Sequence, residues 1–289
     1  MYCSARTVTA VWGGLPERPM GADCKSVAKA TEVRILYPPQ HRWASDRAGQ
    51  GPIVVPQVGR EGDAVRTQMA TEAGRSTAPS EDRALVGPNL LAVLDGVTAK
   101  PETGCVHSVG WFADQLAAEL LRFAHLVPAA ALAEAIKQTR ELHSGSCDLD
   151  HPDSPSAAVG LVQLKDDVLR YLVLGDATVV VDTKRELHVV SDTTTNRTAG
   201  ADPADVEHAL TGEIPLQDVR RVAILSDGAA RAVDLFNLFD WPKALELMAA
   251  NGPDDLIRKM RQVEKEDVKA VDWPRKKVSD DATVVYLDR

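Results

Sequence analysis

Aromatic side chains make up only 4% of the 289 residues, so no aromatic stacking platform for single-stranded nucleic acid is indicated. Positive charge is also short: 33 Lys and Arg stand against 42 Asp and Glu, giving a net charge of −9. A chain of that sign is a poor general partner for nucleic acid or an anionic membrane surface, and is compatible with cations. No run approaches the roughly 20 apolar residues needed to span a bilayer. The N-terminus lacks the basic, apolar, small-residue order of a secretory signal, which points to the cytoplasm. Cysteine is scarce and scattered, at Cys3, Cys24, Cys105 and Cys147. With no CxxC pair among them, neither a zinc knuckle nor a redox motif is expected, and a reducing compartment fits. The 19 glycines and 17 prolines have no period, which excludes collagen-like and repeat architectures.

What is present is ordinary globular material, 44% hydrophobic and 26% charged. Residues 1–65 differ from the rest. They carry Pro16, Pro19, Pro38, Pro39, Pro52 and Pro56 with short apolar runs, and read as a loosely structured leader ahead of a domain at 66–289. A second reading concerns the gene. One frame of a transfer-RNA T-arm encodes Glu32-Val33-Arg34-Ile35, so a start placed too far upstream would also produce such a leader.

The spacing of apolar residues predicts strands at 90–94, 157–164, 168–174, 178–181, 187–190, 221–225 and 282–287. It predicts helices at 108–124, 129–142, 241–250 and 254–266, the last two opened by Asp240 and Pro253-Asp254-Asp255. Asp166-Asp167 and Lys184-Arg185 mark hairpin turns. Strands cluster in adjacent hairpins rather than alternating with helices, which predicts an α+β layered domain of antiparallel sheets covered by helices. Trp111, Trp241 and Trp273 are candidates for an apolar contact face, although tryptophans are more often partly buried.

Three acidic sites repeat one arrangement. Asp95-Gly96 follows an apolar strand, Asp227-Gly228 follows another, and Asp280-Asp281 precedes the last. Each alone reads as a turn. Together they place carboxylates at strand ends, where they repel one another unless a cation intervenes. Oxygen-only ligation suits Mg²⁺ or Mn²⁺ rather than zinc.

In chain order the motifs are Ser80-Glu81-Asp82, Leu91-Ala92-Val93-Leu94-Asp95-Gly96, Ser156-Ala157-Ala158-Val159, Leu174-Gly175-Asp176-Ala177, Ile224-Leu225-Ser226-Asp227-Gly228 and Asp280-Asp281-Ala282-Thr283-Val284-Val285. Over about residues 67–289 this series resembles the metal-dependent protein phosphatase family, type 2C. The resemblance implies a four-layer sandwich, two antiparallel β-sheets flanked by α-helices, with two Mn²⁺ or Mg²⁺ ions at one end and a third in some members. It implies that Asp95 bridges both ions, that the carbonyl of Gly96 joins the second, and that Asp227 and Asp280 hold the first, with Asp281 the alternative to Asp280. Glu81 and Asp82 would support the metal-bound waters. Asp153, with Asp150 behind it, is the candidate for the third ion, or the loop is a solvated acidic turn. A metal-bound hydroxide would then attack phosphorus directly, with no covalent intermediate. Ser108, Ser144 and Cys147 carry no nucleophile signature and read as structural or surface residues.

The sequence departs from the family in three places. Thr98 and Ala99 stand where two small residues, usually glycines, follow the aspartate turn, and Val97 stands where some members carry a histidine. Thr77 occupies the usual position of a phosphate-binding arginine. Arg75 lies two residues earlier, with Arg83 and Arg197 as substitutes. Residues 192–200 read either as a mobile lid or as an ordinary surface loop. The expected substrate is a phosphoserine or phosphothreonine protein. A small phosphomonoester of a biosynthetic pathway and a non-catalytic regulatory domain of the same fold remain open.

Overall fold

The computed structural model describes residues 34–35, 53–56, 65–75, 77–97, 100, 102–194 and 197–289. Period-two burial shapes its centre. In the strand Leu90–Gly96, Leu90, Ala92 and Leu94 face one hydrophobic layer while Leu91 and Val93 face another, so both surfaces are buried. The same alternation runs through Val219–Leu225 and Ala282–Asp288. Each fully buried leucine or valine is worth roughly 1.5–3 kcal/mol, which explains why these short runs hold the molecule together.

Two six-stranded sheets result, antiparallel throughout. The first runs β1 (Arg34–Ile35), β4 (Arg83–Val86), β5 (Leu90–Gly96), β6 (Ala157–Lys165), β7 (Val168–Leu174) and β10 (Leu210–Pro215). The second runs β2 (Ile53–Pro56), β3 (Arg66–Glu72), β12 (Ala282–Asp288), β11 (Val219–Leu225), β8 (Thr178–Thr183) and β9 (Leu187–Val190). Helices α1 (Val109–Arg122) and α2 (Pro128–His143) cover the first sheet, with Phe112, Leu116, Leu120, Leu132 and Ile136 inward. Helices α3 (Asp227–Asp234), α4 (Trp241–Asn251) and α5 (Pro253–Glu266) cover the second. The four-layer expectation is met.

Local chemistry sets the boundaries. Ser108 caps α1 by accepting the Trp111 N–H at 3.1 Å, and Asp240 caps α4 by accepting that of Lys243 at 2.9 Å. Asp166 and Asp167 take φ of +55° and +59°, the paired left-handed values of a tight hairpin turn between β6 and β7.

Some expectations need correction. Two segments of the proposed leader are strands: Ile53–Pro56 pairs with Arg66–Met69 of β3, and Arg34–Ile35 pairs with β4. Most of residues 1–65 lies outside the described residues. The Asp227-Gly228 pair is the start of α3 rather than a free turn. In the segment read as a lid or loop, Ala199 is buried and bridges to Ala157, and Asp202 caps a short 3₁₀ turn over Pro203–His208 that leads into β10. The three tryptophans are partly buried: Trp111 stacks on His107 at 3.9 Å, and Trp241 and Trp273 pack on the core beneath α3 and α4. The cysteines are not all scattered in space, because the end of α2 brings Cys147 to 3.0 Å from Cys105, sulfur to sulfur.

Candidate active site

Four chain segments meet at one end of the sandwich. Glu81 and Asp82 precede β4, Asp95 and Gly96 end β5, Ser226 and Asp227 follow β11, and Asp280 and Asp281 precede β12. Two segments belong to each sheet, so the site straddles the interface between layers. Hydrogen bonds lock them together. The Asp227 N–H donates to Asp95 Oδ2 at 2.9 Å. Asp281 accepts the Gly74 N–H at 2.8 Å through Oδ1 and the Glu81 N–H at 2.6 Å through Oδ2. Ser226 Oγ accepts the Thr283 N–H at 2.9 Å. Two glycines permit the approach. A Cβ on Gly96 would lie 2.7 Å from the Glu81 carbonyl oxygen, and one on Gly228 would collide with that of Asp281.

The electrostatics are those of crowded acids. Burial, then the charge of Asp281, pushes the Asp82 carboxyl up from 3.8 to about 7. Burial followed by the charges of Asp82, Asp227 and Asp176 raises Asp95 well above the usual carboxylate range. Asp227 is raised by burial, then by Asp280 and Asp176, and Asp176 by burial, then by Asp280. Asp82 is fully buried, and neither of its carboxylate oxygens has a hydrogen-bond partner. The hydroxyls of Ser226 and Thr283 lie near enough to temper its rise without bonding it in normal geometry. Asp280 is the member with protein cations, bound by Arg231 at 2.8 Å and Lys277 at 2.8 Å. A buried, partnerless carboxylate among repelling aspartates, with no cysteine or histidine beside them among the described residues, fits hard divalent cations such as Mn²⁺ or Mg²⁺.

A cleft of about 450 Å³ opens beside these acids, lined by Arg75, Glu81, Trp111, Lys277, Asp280 and Asp281 among others. Arg75 is exposed at its wall, so its shift from the expected position does not remove it. Arg83 reaches the same cleft but is buried and committed. It pairs with Asp114 and donates to the carbonyls of Ser80 at 2.8 Å, Asp82 at 2.7 Å and Gly110 at 3.0 Å. It therefore anchors the Ser80–Asp82 segment to α1 and is not a free phosphate ligand. Arg197 is exposed, near Asp205. Val97 is exposed and carries no proton to give, while Thr98 and Ala99 lie outside the described residues.

Asp153 pairs with Lys100 at 2.6 Å. The additional carboxylate whose charge bears on Asp95 and Asp227 is Asp176, at the turn after β7. Its signal was in the sequence, in Leu174-Gly175-Asp176-Ala177, the same apolar-strand-then-acid pattern as the other three sites. Arg231 and Lys277 were missed as well, because a cation beside an aspartate in space leaves no mark in sequence.

The family model for protein phosphatase 2C matches residues 71–263. No curated protein sequence matches significantly. Among solved structures, the Mycobacterium tuberculosis serine/threonine phosphatase PstP/Ppp superposes with a TM-score of 0.55 at 16% identity, covering 78% of this chain and 98% of that one. The catalytic domain of PstP in complex with two manganese ions gives 0.54 at 17%, covering 78% and 97%. The Staphylococcus aureus serine/threonine phosphatase Stp1 gives 0.54 at 14%, covering 80% and 99%. These likenesses carry the fold. With a family match over two thirds of its length and acids at the expected strand ends, the chain belongs to the protein phosphatase 2C family.

Proposed function

We propose that this chain removes phosphate from phosphoserine and phosphothreonine in proteins. As a member of its family it is a metal-dependent phosphatase using Mn²⁺ or Mg²⁺. The observation that carries the site assignment is Asp82, buried without a partner inside the cluster of Asp95, Asp227 and Asp281. Asp95, Asp227, Asp280 and the carbonyl of Gly96 are the residues that would hold two ions, and Asp176 replaces Asp153 as the candidate for a third. When bound, the ions supply an activated water and stabilise charge on the phosphoryl oxygens.

The remaining work falls to the protein. The Asp227 N–H fixes the rotamer of Asp95, and the Gly74 and Glu81 amides hold both oxygens of Asp281, while Asp280 is held by the side chains of Lys277 and Arg231, which an ion would displace in taking it as ligand. Glu81 and Asp82 would accept hydrogen bonds from the waters that such ions carry. Arg75 orients the phosphate from the cleft wall, where a guanidinium grips two oxygens at once. Val97 cannot protonate the leaving serine or threonine oxygen, so that proton comes from solvent.

The test is steady-state hydrolysis of a phosphothreonine peptide and of a panel of sugar and nucleoside phosphates, with Mn²⁺ and with EDTA. The peptide should be preferred and EDTA should abolish turnover. Preference for a small phosphate would move the substrate to that class, and full activity after chelation would remove the metal assignment.

A further inference from the structure

We infer that the chain carries a second metal site, of opposite chemistry, that holds a structural Zn²⁺ ion. Cys105 and His107 lie in the segment between β5 and α1, His143 is the last residue of α2, and Cys147 lies in the turn that follows it. Their four donor atoms all fall within 4.8 Å of one another. Cys105 Sγ is 3.5 Å from His143 Nδ1 and 3.6 Å from His107 Nδ1, and Cys147 Sγ is 3.3 Å from His107 Nδ1. A tetrahedron built on Zn–S of about 2.3 Å and Zn–N of about 2.0 Å has sulfur–nitrogen edges of about 3.5 Å. The two sulfurs, 3.0 Å apart, are inside the corresponding edge of about 3.8 Å but well outside a disulfide bond of about 2.05 Å.

The surroundings are those of a built site. The His107 N–H points at Cys105 Sγ at 3.4 Å, as a supporting donor to a thiolate does. Thr103 Oγ1 accepts the Cys105 N–H at 3.2 Å, and the Asp148 N–H donates to the Gly104 carbonyl at 2.8 Å, clamping the two ligand-bearing segments together. Trp111 stacks on His107 and meets His143 edge-on, screening one side, and His143 is fully buried. Two thiols and two imidazoles select zinc over Mn²⁺ or Mg²⁺, whereas the aspartate cluster selects the reverse, so one chain sorts two metals by ligand softness. The zinc ties the segment that leaves the Asp95-Gly96 turn to the end of α2. Sequence reading discounted the cysteines because none forms a CxxC pair; the usable signal was the two half-sites, Cys105-x-His107 and His143-x₃-Cys147.

The experiment uses the full chain purified under reducing conditions. Elemental analysis after dialysis should find one zinc per chain. Replacement by Co²⁺ should give a thiolate-to-cobalt charge-transfer band and the intense visible absorption of tetrahedral cobalt. Both should persist in Asp95→Asn and vanish in the Cys105→Ser, Cys147→Ser double variant. The wild-type cobalt spectrum decides the matter even if that variant does not fold. Weak octahedral absorption alone, absence of zinc, or a Cys105–Cys147 disulfide in the reduced preparation's mass would overturn the assignment. None of these readouts depends on phosphatase turnover.

Discussion

Asp82 concentrates the conflict between burial and charge. Its amide donates to Ser80 Oγ and its carbonyl accepts from Arg83, and among the described residues no cation pairs with its carboxylate. Asp95 shares that environment and is tied to Asp227 as well. Replacing Asp95 with Asn should lower Mn²⁺ affinity by more than about 100-fold, the upper range for losing a residue that only supports a ligand; isothermal titration checks it. Arg75→Ala should raise KM for a phosphopeptide more than it lowers metal affinity, because the guanidinium grips phosphate in both ground and transition state. Unchanged kcat and KM at saturating Mn²⁺ would remove Arg75 from the cleft's function. Arg83→Ala should behave differently. It leaves Asp114 without its partner and frees the Ser80–Asp82 backbone, costing about 3 kcal/mol in urea unfolding. Gly228→Ala should abolish activity through displacement of Asp281, since its Cβ has no room against that carbonyl.

Among the elements, those with dense apolar runs were legible. Strand β5 and helices α1 and α2 fall within a residue or two of the expected limits because Leu90, Leu94, Phe112 and Leu116 repeat at the period of their element. Strand β3 was not read, because its buried residues include Thr67 and Gln68, polar side chains that broke the pattern. Strand β10 was missed because Leu210, Thr211 and Pro215 stay exposed at a sheet edge. Helix α3 was hidden by its own function: Asp227-Gly228 is a turn signal, yet here the glycine serves close packing against Asp281. The acids were legible because they sit at strand ends; the cysteine and histidine quartet was not, because about forty residues separate its halves. The segment after α5 offers a further test. Although burial opposes it, the carboxyl of Asp267 is pulled down to about 2 by Arg275 and the amides of Val271, Trp273 and Asp272. Its contribution to stability is present above the ordinary 3.8 and lost as pH falls through about 2. Asp267→Asn should flatten the loss of stability over that window, as followed by circular dichroism. At the other end, a chain beginning at residue 65 should melt lower than one beginning at residue 52, since it lacks Ile53–Pro56 on the edge of β3.

At the scale of the molecule, the aspartate cluster sets the pH response of the metal-free protein. A carboxyl raised from 3.8 to about 7, as Asp82 is, holds its proton more tightly folded than unfolded. Its contribution is full below 3.8 and lost as pH rises toward 7. Metal-free protein should therefore melt at a lower temperature at pH 7.5 than at pH 5, and Mn²⁺ should raise the midpoint more at the higher pH, where it no longer competes with protons. A Mn²⁺ effect independent of pH in differential scanning fluorimetry would contradict this.

The order of strands in the second sheet carries a consequence for synthesis. β12 begins at Ala282, yet it lies between β3 and β11, in the middle of its sheet. The Glu81 amide meets Asp281 across a sequence separation of 200 residues. A ribosome extending this chain therefore holds it with the second sheet split between β3 and β11, and the cluster without Asp280 and Asp281, until residues 280–288 have cleared the exit tunnel. Proteolytic loss of residues 280–288 would reopen that gap in the finished protein and take Asp280 with it, so hydrolysis should be lost in the cleaved chain.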